Sequence, residues 1–413
     1  MTPPGRDQRQ RDQRGSEAQG GDDEIQGPKP RLRERARGEH RIEEHVLTLH
    51  LLDLGAGGLS EDQISKALAD VGAQLGAHFD QDRAGVTLRT LSSARERKQA
   101  LDILARVIQH PEFAENALER EQARVIAGLK EADTKPEVIA DRALMKMLYA
   151  SHPYGLRGSG EIDTVKALRR DDLVNFYRSN YTAGDAVIAI MGDVSRAEAA
   201  DIAESLTKDL PQGRPTDVLP PVSLPIAEIK RIPHPATQSH ILLAYPGLQR
   251  DDPDYFQLLV GNHVLGSGGF TSRLMEEIRQ KRGLAYSVHS SFAPLKEEGP
   301  FEIGLQTRKE QSEEALALTQ KVLADFVANG PTEKELTAAK QNIIGSFPLR
   351  IDSNKKIVGY LALIGFYKLP LTYLEDYIKA VDRVTVAEIK DAFQRRIDPK
   401  GMVIVVVGAM GKE

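Results

Sequence analysis

The sequence predicts an α+β protein of two duplicated lobes. Each lobe is an α/β sandwich in which a mainly antiparallel sheet is covered by helices, and a Pro-rich linker joins the two. Three observations lead there. Residues 165–192 (VKALRRDDLVNFYRSNYTAGDAVIAIMG) align without a gap on 381–408 (VDRVTVAEIKDAFQRRIDPKGMVIVVVG), and in each an amphipathic helix turns into an apolar strand ending in Gly. Residues 86–107 (VTLRTLSSARERKQALDILARV) match 301–322 (FEIGLQTRKEQSEEALALTQKV) in the same order, again about 215 residues apart, as a duplicated domain requires and a short-period solenoid does not. Strand-like runs mix with long helices in each half, and five Pro within 211–225 mark a stiff, extended connector between the halves.

A chain of 413 residues has room for two such lobes, each large enough to bury a core. The layout is a polar tail at 1–44, a first lobe at 45–210, a linker at 211–228 and a second lobe at 229–413. Hydrophobic content of 40% and charged content of 28% are those of an ordinary globular protein. A net charge of −5 gives no reason to expect nucleic acid as a partner, and the absence of Cys removes disulfides, thiolate chemistry and sulfur metal ligands. No apolar run approaches the roughly 20 residues of a membrane span. The opening MTPPGRDQRQRDQRG is basic with no apolar stretch behind it, so it does not read as a secretory signal, and the chain as written reads as cytoplasmic.

Along the chain, residues 1–44 are rich in Arg, Gln, Gly, Asp, Glu and Pro and have too few large apolar residues to offset ordering entropy, so they read as a solvated tail. The apolar run 46–54 has helical length and stops at Gly55-Ala56-Gly57-Gly58. Ser60 with Gln63 three residues on is a capping-box pattern opening a helix over 61–71. Alternation at 86–91 predicts a strand, followed by helices over 94–109 and 114–131, a helix from 171 and a strand at 186–191. The second lobe opens with a strand at 239–245. A helix over 254–265 then leads into the loop Gly266-Ser267-Gly268-Gly269. A helix over 272–281, strands at 285–293 and 299–307, and helices matching those of the first lobe complete it.

The strongest local signal is residues 266–288, GSGGFTSRLMEEIRQKRGLAYSV. This string resembles the C-terminal-domain signature of the M16 zinc peptidases, the family of pitrilysin, insulinase and mitochondrial processing peptidase. Gln238 before a strand, Pro246-Gly247 after it and Asp252-Pro253-Asp254-Tyr255 at the next helix are similar to that family's second domain. His152-Pro153-Tyr154-Gly155 with Gly160 resembles a loop of its first domain. The resemblance spans residues 46–410. Read on residue type alone, Arg279 and Tyr286 are an exposed helix Arg and a half-buried strand Tyr. The resemblance gives them a role, as the Arg and Tyr that reach from the second domain toward a zinc site. Arg279 would pair with a peptide carbonyl or carboxylate, and Tyr286 would donate to the oxyanion formed when water attacks a scissile carbonyl. Gly268 and Gly269 would line the substrate path beside them.

Active members carry His-x-x-Glu-His on a helix of the first domain, with two zinc-binding His and a Glu as general base, and a further Glu ligand downstream. Alignment on the glycines after that helix places Val46-Leu47-Thr48-Leu49-His50 on the motif. Val46 stands for a ligand, Leu49 for the base, and only His50 matches. The downstream ligand falls in Glu119-Arg120-Glu121-Gln122-Ala123-Arg124-Val125-Ile126-Ala127-Gly128, with Gly128 at its position. One imidazole cannot hold a catalytic zinc, so no cofactor is expected on this chain, and zinc is expected in a partner. His40-Arg41-Ile42-Glu43-Glu44-His45 imitates the motif with one spacer too many. Its two His would point about 140° apart on a helix, which excludes a shared metal. His240, His263 and His289 read as hydrogen-bonded structural residues.

Family members also begin the first domain with a β-hairpin upstream of the zinc helix. Here that space holds the polar tail: either the hairpin is absent, or a misread start codon or frame has replaced it; a true start carrying a signal would make the protein periplasmic. The resemblance implies the silent member of a two-chain M16 peptidase. It would close with a His-x-x-Glu-His subunit around an unfolded peptide held partly by strand addition. A structural core subunit of a larger complex, without a proteolytic role, is the alternative.

Overall fold

The computed structural model of the chain describes residues 40–213 and 218–408, with side chains from Glu44 onward. The first lobe runs α1 (His40–Leu51), the two-residue strands β1 (Gly55–Ala56) and β2 (Leu59–Ser60), α2 (Glu61–Ala69), β3 (Gln74–Phe79) and β4 (Ala84–Arg89). It continues through α3 (Ala94–Gln109), α4 (Glu115–Ala132), α5 (Pro136–Tyr149), α6 (Ile162–Ala167), α7 (Arg170–Asn180) and α8 (Arg196–Thr207). The second lobe runs β5 (Ile229–Ile232), β6 (Gln238–Leu248), α9 (Tyr255–Asn262), β7 (Ala285–Phe292), β8 (Gly299–Arg308) and α10 (Ser312–Asn329). Then come α11 (Glu333–Ser346), α12 (Asn354–Phe366), α13 (Tyr373–Arg383), α14 (Val386–Arg396) and β9 (Val403–Val407).

Local chemistry sets the helix starts. Ser60 Oγ accepts from the Gln63 N–H while Gln63 Oε1 accepts from the Ser60 N–H, which closes the capping box read from the sequence. The same reciprocal pair opens α8 (Ser195, Glu198), α11 (Thr332, Glu335) and α14 (Thr385, Glu388). Pro136 opens α5, where its missing N–H costs nothing.

The second lobe is built on a five-stranded sheet of order β5-β9-β6-β8-β7, in which β5 and β9 run parallel and every other pair antiparallel. Its central strands are buried on both faces. Ile404 and Val406 of β9, with Ile241 and Leu243 of β6, face the helices α10 and α14 and join the main core. Val403, Val405 and Val407, with Ala244 of β6, face the other way into a second cluster with Ala140, Leu144 and Leu148. Those three residues belong to α5 of the first lobe, so the lobes exchange a helix. In the opposite direction α12 of the second lobe reaches the first. A Cβ on Gly365 would come within 2.7 Å of Val187, and the Arg83 guanidinium lies 5.9 Å from the ring centres of Phe366 and Tyr367. Asp82, in the turn between β3 and β4, accepts from the hydroxyls of Tyr154 and Tyr367 and from the Lys296 N–H, and so ties both lobes at one carboxylate.

The first lobe packs α1, α2, α3, α4 and α7 around Leu47, Leu51, Leu52, Ile64, Val107 and Leu173. Its sheet is where structure and expectation part. β3 and β4 form a two-stranded ladder, and residues 186–191, expected as a strand, form none and have no ladder partner among the described residues. Val187, Ile188 and Met191 are 45%, 38% and 42% exposed. Other departures are smaller. The first helix begins at His40, ahead of the expected end of the tail at 44; residues 1–39 lie outside the described residues. The expected helix over 254–265 ends at Asn262 and gives way to a π-helical turn, His263–Ser267, and that over 272–281 passes into another, Met275–Gln280. Strands β3 and β5 are additional to the sequence reading.

Candidate functional site

Two places carry the residues singled out in the sequence. The first is the C-terminal end of α1. Val46 and Leu49 are each 3% exposed and pack into the first-lobe core, so the positions of a ligand and a general base are held by buried aliphatic side chains. His50, one turn after Val46 on the same helix, is half-buried. Its Nδ1 lies 3.2 Å from Arg124 Nη2 and 3.9 Å from Glu121 Oε2. Arg124 also donates through Nε and Nη2 to Glu121, whose side chain is almost buried, and Arg120 Nε lies 3.9 Å from the other oxygen. A buried carboxylate needs a charge partner, and here guanidinium supplies it. Burial, then the Arg124 charge, lowers the His50 pKa, so His50 is the neutral acceptor of an Arg124 N–H. Burial raises the pKa of Asp53 at the foot of the same helix.

Gly128, the aligned position of the downstream ligand, lies on the exposed side of α4, and a Cβ there would meet open space. Glu121, two helical turns earlier, faces His50 together with Arg124. The sequence reading quoted Glu121 within the Glu-rich stretch but assigned it no role. The signal was available, since residues seven apart share a helix face. Among the described residues no group of three or more His, Asp or Glu side chains could hold a metal ion. A zinc ion therefore does not fit this corner, where Arg124 is the cation. His45 stacks edge-on against Phe176 at 4.5 Å, as a packed residue; the His40 side chain lies outside the described residues.

The second place is the loop, π-helical turn and strand of residues 268–288. The Arg279 guanidinium lies 4.8 Å from the ring centres of both Phe270 and Tyr286, held between two aromatic faces. Arg279 comes from the turn Met275–Gln280, whose wider winding and the Gly283 N–H bond to the Arg279 carbonyl place it at the start of β7. Tyr286 sits where the β7–β8 register slips between Ala285 and Val288, a bulge that turns its ring out of the ladder; it is 79% exposed. Phe270 follows Gly268 and Gly269 and is tied to the turn by Gln280 Nε2, which donates to its carbonyl at 2.7 Å. Gly269 has φ +64°, and a Cβ on Gly268 would lie 2.4 Å from the His263 carbonyl, so both glycines are required by the backbone that delivers Phe270. Among the described residues neither the Arg279 N–H groups nor the Tyr286 hydroxyl has a hydrogen-bond partner. They border an open pocket of about 390 Å³ that also takes in Gln238, Gln306, Arg308 and Gln311. Stacking fixes the guanidinium plane and leaves its edge free to grip a carbonyl or carboxylate.

Other signature residues hold the frame. Asp254 accepts from Arg395 and Arg396, which hold its carboxyl below its usual pKa, and this pins α14 to the start of α9. His152 donates through Nε2 to the Pro220 carbonyl and accepts at Nδ1 from the Tyr154 N–H, which fastens the linker to the first lobe. His240, His263 and His289 do not come together.

Residues 46–159 match the family model described as Insulinase (Peptidase family M16), and residues 167–343 match the one described as Peptidase M16 inactive domain. A crystal structure of a peptidase M16 inactive domain from Pseudomonas fluorescens superposes with a TM-score of 0.86 at 39% identity, covering 89% of this chain and 88% of that one. A Bacillus subtilis (strain 168) relative named uncharacterized zinc protease YmxG is 27% identical over 304 residues, covering 74% of this chain and 73% of its own length. A Helicobacter pylori relative named non-peptidase homolog YmxG is 25% identical over 373 residues, covering 89% of this chain and 84% of its own length.

Proposed function

The chain belongs to the M16 peptidase family, and from that premise we propose that it is a subunit without catalysis of its own, one that lends Arg279 and Tyr286 to the active site of a zinc-bearing M16 partner. The observation that carries the reading is the asymmetry between its two sites. The metal corner is filled by an arginine–glutamate pair and buried aliphatics, whereas the Arg279–Tyr286 pair is stacked, exposed and without internal partners. On this reading Arg279 holds a main-chain carbonyl or a carboxylate of an unfolded peptide. Tyr286 donates to the oxyanion as water adds to the scissile carbonyl. Gly268 and Gly269 act through Phe270, which keeps the guanidinium in plane beside the substrate. The division at about 210–228 separates a first lobe that has lost its chemistry from a second that keeps its share.

The test is direct. Purified alone and dialysed, the chain should hold no stoichiometric zinc and cleave no fluorogenic peptide; mixed with a zinc-bearing M16 subunit it should raise peptide cleavage by orders of magnitude. One equivalent of zinc with chelator-sensitive cleavage by this chain alone would sink the reading. Co-elution of the two chains without any gain in cleavage favours the structural core subunit instead. The non-peptidase name of the Helicobacter pylori relative points toward that second reading.

A further inference from the structure

The second-lobe sheet ends on β5, and the outer edge of that strand is open. β9 lies on one side of it, and no strand lies on the other among the described residues. The Ile404 N–H donates to the Glu228 carbonyl and the Gly408 N–H to the Ile232 carbonyl, so the even-numbered residues turn their main chain inward to β9. Main-chain groups alternate in direction along a strand, and those of Ala227, Ile229 and Arg231 therefore point outward. Among the described residues no acceptor meets their N–H groups. The sheet's other edge differs: at β7 the Asn262 side chain donates to the Ser290 carbonyl.

Residues 225–233, PIAEIKRIP, are their own complement when read antiparallel about Ile229. Pro225 then stands opposite Pro233, Ile226 opposite Ile232, Ala227 opposite Arg231 and Glu228 opposite Lys230. A two-fold axis at Ile229 requires a central residue whose N–H and C=O face outward, and Ile229 meets that requirement. The side chains sort by face. Arg231 and Ile229 lie on the α10 side, where Arg231 pairs with Glu313 and an open pocket of about 570 Å³ runs between Ile229 and Ala324. By alternation Ile226, Glu228 and Lys230 share the other face with Ile232, which packs in the cluster of Ala140 and Val407. Ile226 is 88% exposed and Ile229 43%. Neither Glu228 nor Lys230 has an ion-pair partner among the described residues, whereas Arg231 beside them does. Lys and Pro on an edge strand ordinarily blunt it against pairing. The antiparallel register centred on Ile229 is the one that sets each Lys230 against a Glu228 and ends the ladder at Pro on both sides.

We propose that β5 is a self-association edge, on which a second copy of this chain pairs antiparallel about Ile229 and joins the two five-stranded sheets into one. Ala227, Ile229 and Arg231 exchange main-chain bonds with the second copy. Glu228 of each copy pairs with Lys230 of the other. The two Ile229 side chains meet beside the α10 pocket, and Ile226 of each copy covers Ile232 of the other. The interface is isologous, as a two-fold dimer requires. Main-chain bonds give affinity, and the charge pairs and isoleucines give register. β5 and β7 are opposite edges of the sheet, so the dimer leaves Arg279 and Tyr286 uncovered and stands whether or not the peptidase-pair reading does.

Sedimentation velocity on the full chain tests it. The chain should show a concentration-dependent equilibrium of monomer and dimer. Lys230→Glu sets Glu against Glu across the axis, and Glu228→Lys sets Lys against Lys. Each should raise the dimer dissociation constant by at least ~10-fold. The double variant Glu228→Lys/Lys230→Glu should restore the dimer. Mixing the two single variants should restore it too, as a heterodimer, because one chain then offers acids at both positions and the other bases. Thermal midpoints should hardly move, since both side chains are exposed. Amides of Ile229 and Arg231 should exchange slowly in the dimer and fast in the Lys230→Glu chain. A chain that stays monomeric into the sub-millimolar range would overturn the proposal. So would a dimer indifferent to the single substitutions, or single variants that neither the double swap nor the mixture rescues.

Discussion

Residues 187–191 and β9 are apolar segments that align in the sequence and have opposite fates. Val403 is fully buried and Ile404 is 3% exposed, while their matched residues Val187 and Ile188 are 45% and 38% exposed. A strand is stabilised by its neighbours more than by its own propensity. β9 has β5 and β6 beside it, α10 and α14 on one face and α5 on the other; among the described residues the first-lobe segment has no ladder partner and touches α12. The second contrast runs through the chemistry. The first lobe holds Glu121 closed with Arg124, while the second leaves the Arg279 and Tyr286 donors open. One lobe closes its corner with an ion pair, and the other presents open donors.

The largest test of this contrast is kinetic. In the pair with a zinc-bearing subunit, Tyr286→Phe should lower turnover by about 100- to 1,000-fold, as loss of one oxyanion donor does. His50→Ala in the opposite lobe should leave turnover within about twofold, and both variants should still co-elute with the partner. Equal losses from the two would erase the asymmetry.

The matched isoleucines give the next test. Ile404→Ala should cost about 2–5 kcal/mol of unfolding free energy, the range for a buried aliphatic truncated to Ala. Ile188→Ala should cost less, about 1–2 kcal/mol, because 38% of its surface stays exposed. Denaturant midpoints of the two variants decide it, and similar losses would mean that the first-lobe segment is covered in solution.

A third test sharpens the helix exchange. Burial, with the Asp141 charge of α5 second, pushes the Glu302 carboxyl of β8 up to about 7. Its folded pKa lies above the unfolded carboxylate value, so it costs nothing at pH 4. Stability then falls as pH rises toward 7, and the full cost persists above that. Glu302→Gln should therefore stabilise at pH 8 by about 2 kcal/mol, allowing for a carboxyl that is not wholly enclosed, and change little at pH 4. A gain independent of pH would mean that α5 does not enclose Glu302.

The smallest effect is expected at the N-terminus. Removing residues 1–39 should leave the thermal midpoint nearly unchanged, because the segment has few apolar residues to bury. A fall of many degrees would make the tail part of the first lobe.

Much of the frame was legible along the chain. Capping pairs and apolar periodicity placed α2, α3 and α4 within a few residues, and the helix over 94–109 matches α3 end to end. Arg279 and Tyr286 were marked by the family resemblance of residues 266–288, but their stacking around Phe270 was not, since it depends on a π-helical turn and a β-bulge that have no signature in residue type. Glu121 was overlooked because motif spacing pointed at Gly128, whereas the α4 face that meets His50 is set by how α4 packs on α1.

The sequence by itself determined the local elements, the two-lobed plan and the absence of zinc ligands at Val46, Leu49 and Gly128, since each of these depends on residue type at a position. Only the tertiary structure decided which apolar strand found neighbours, which lobe received which helix, and which carboxylate met His50. Those outcomes depend on pairings between residues tens to hundreds of positions apart. Residue type can make a strand apolar, but burial and ladder hydrogen bonds come from the partner laid beside it.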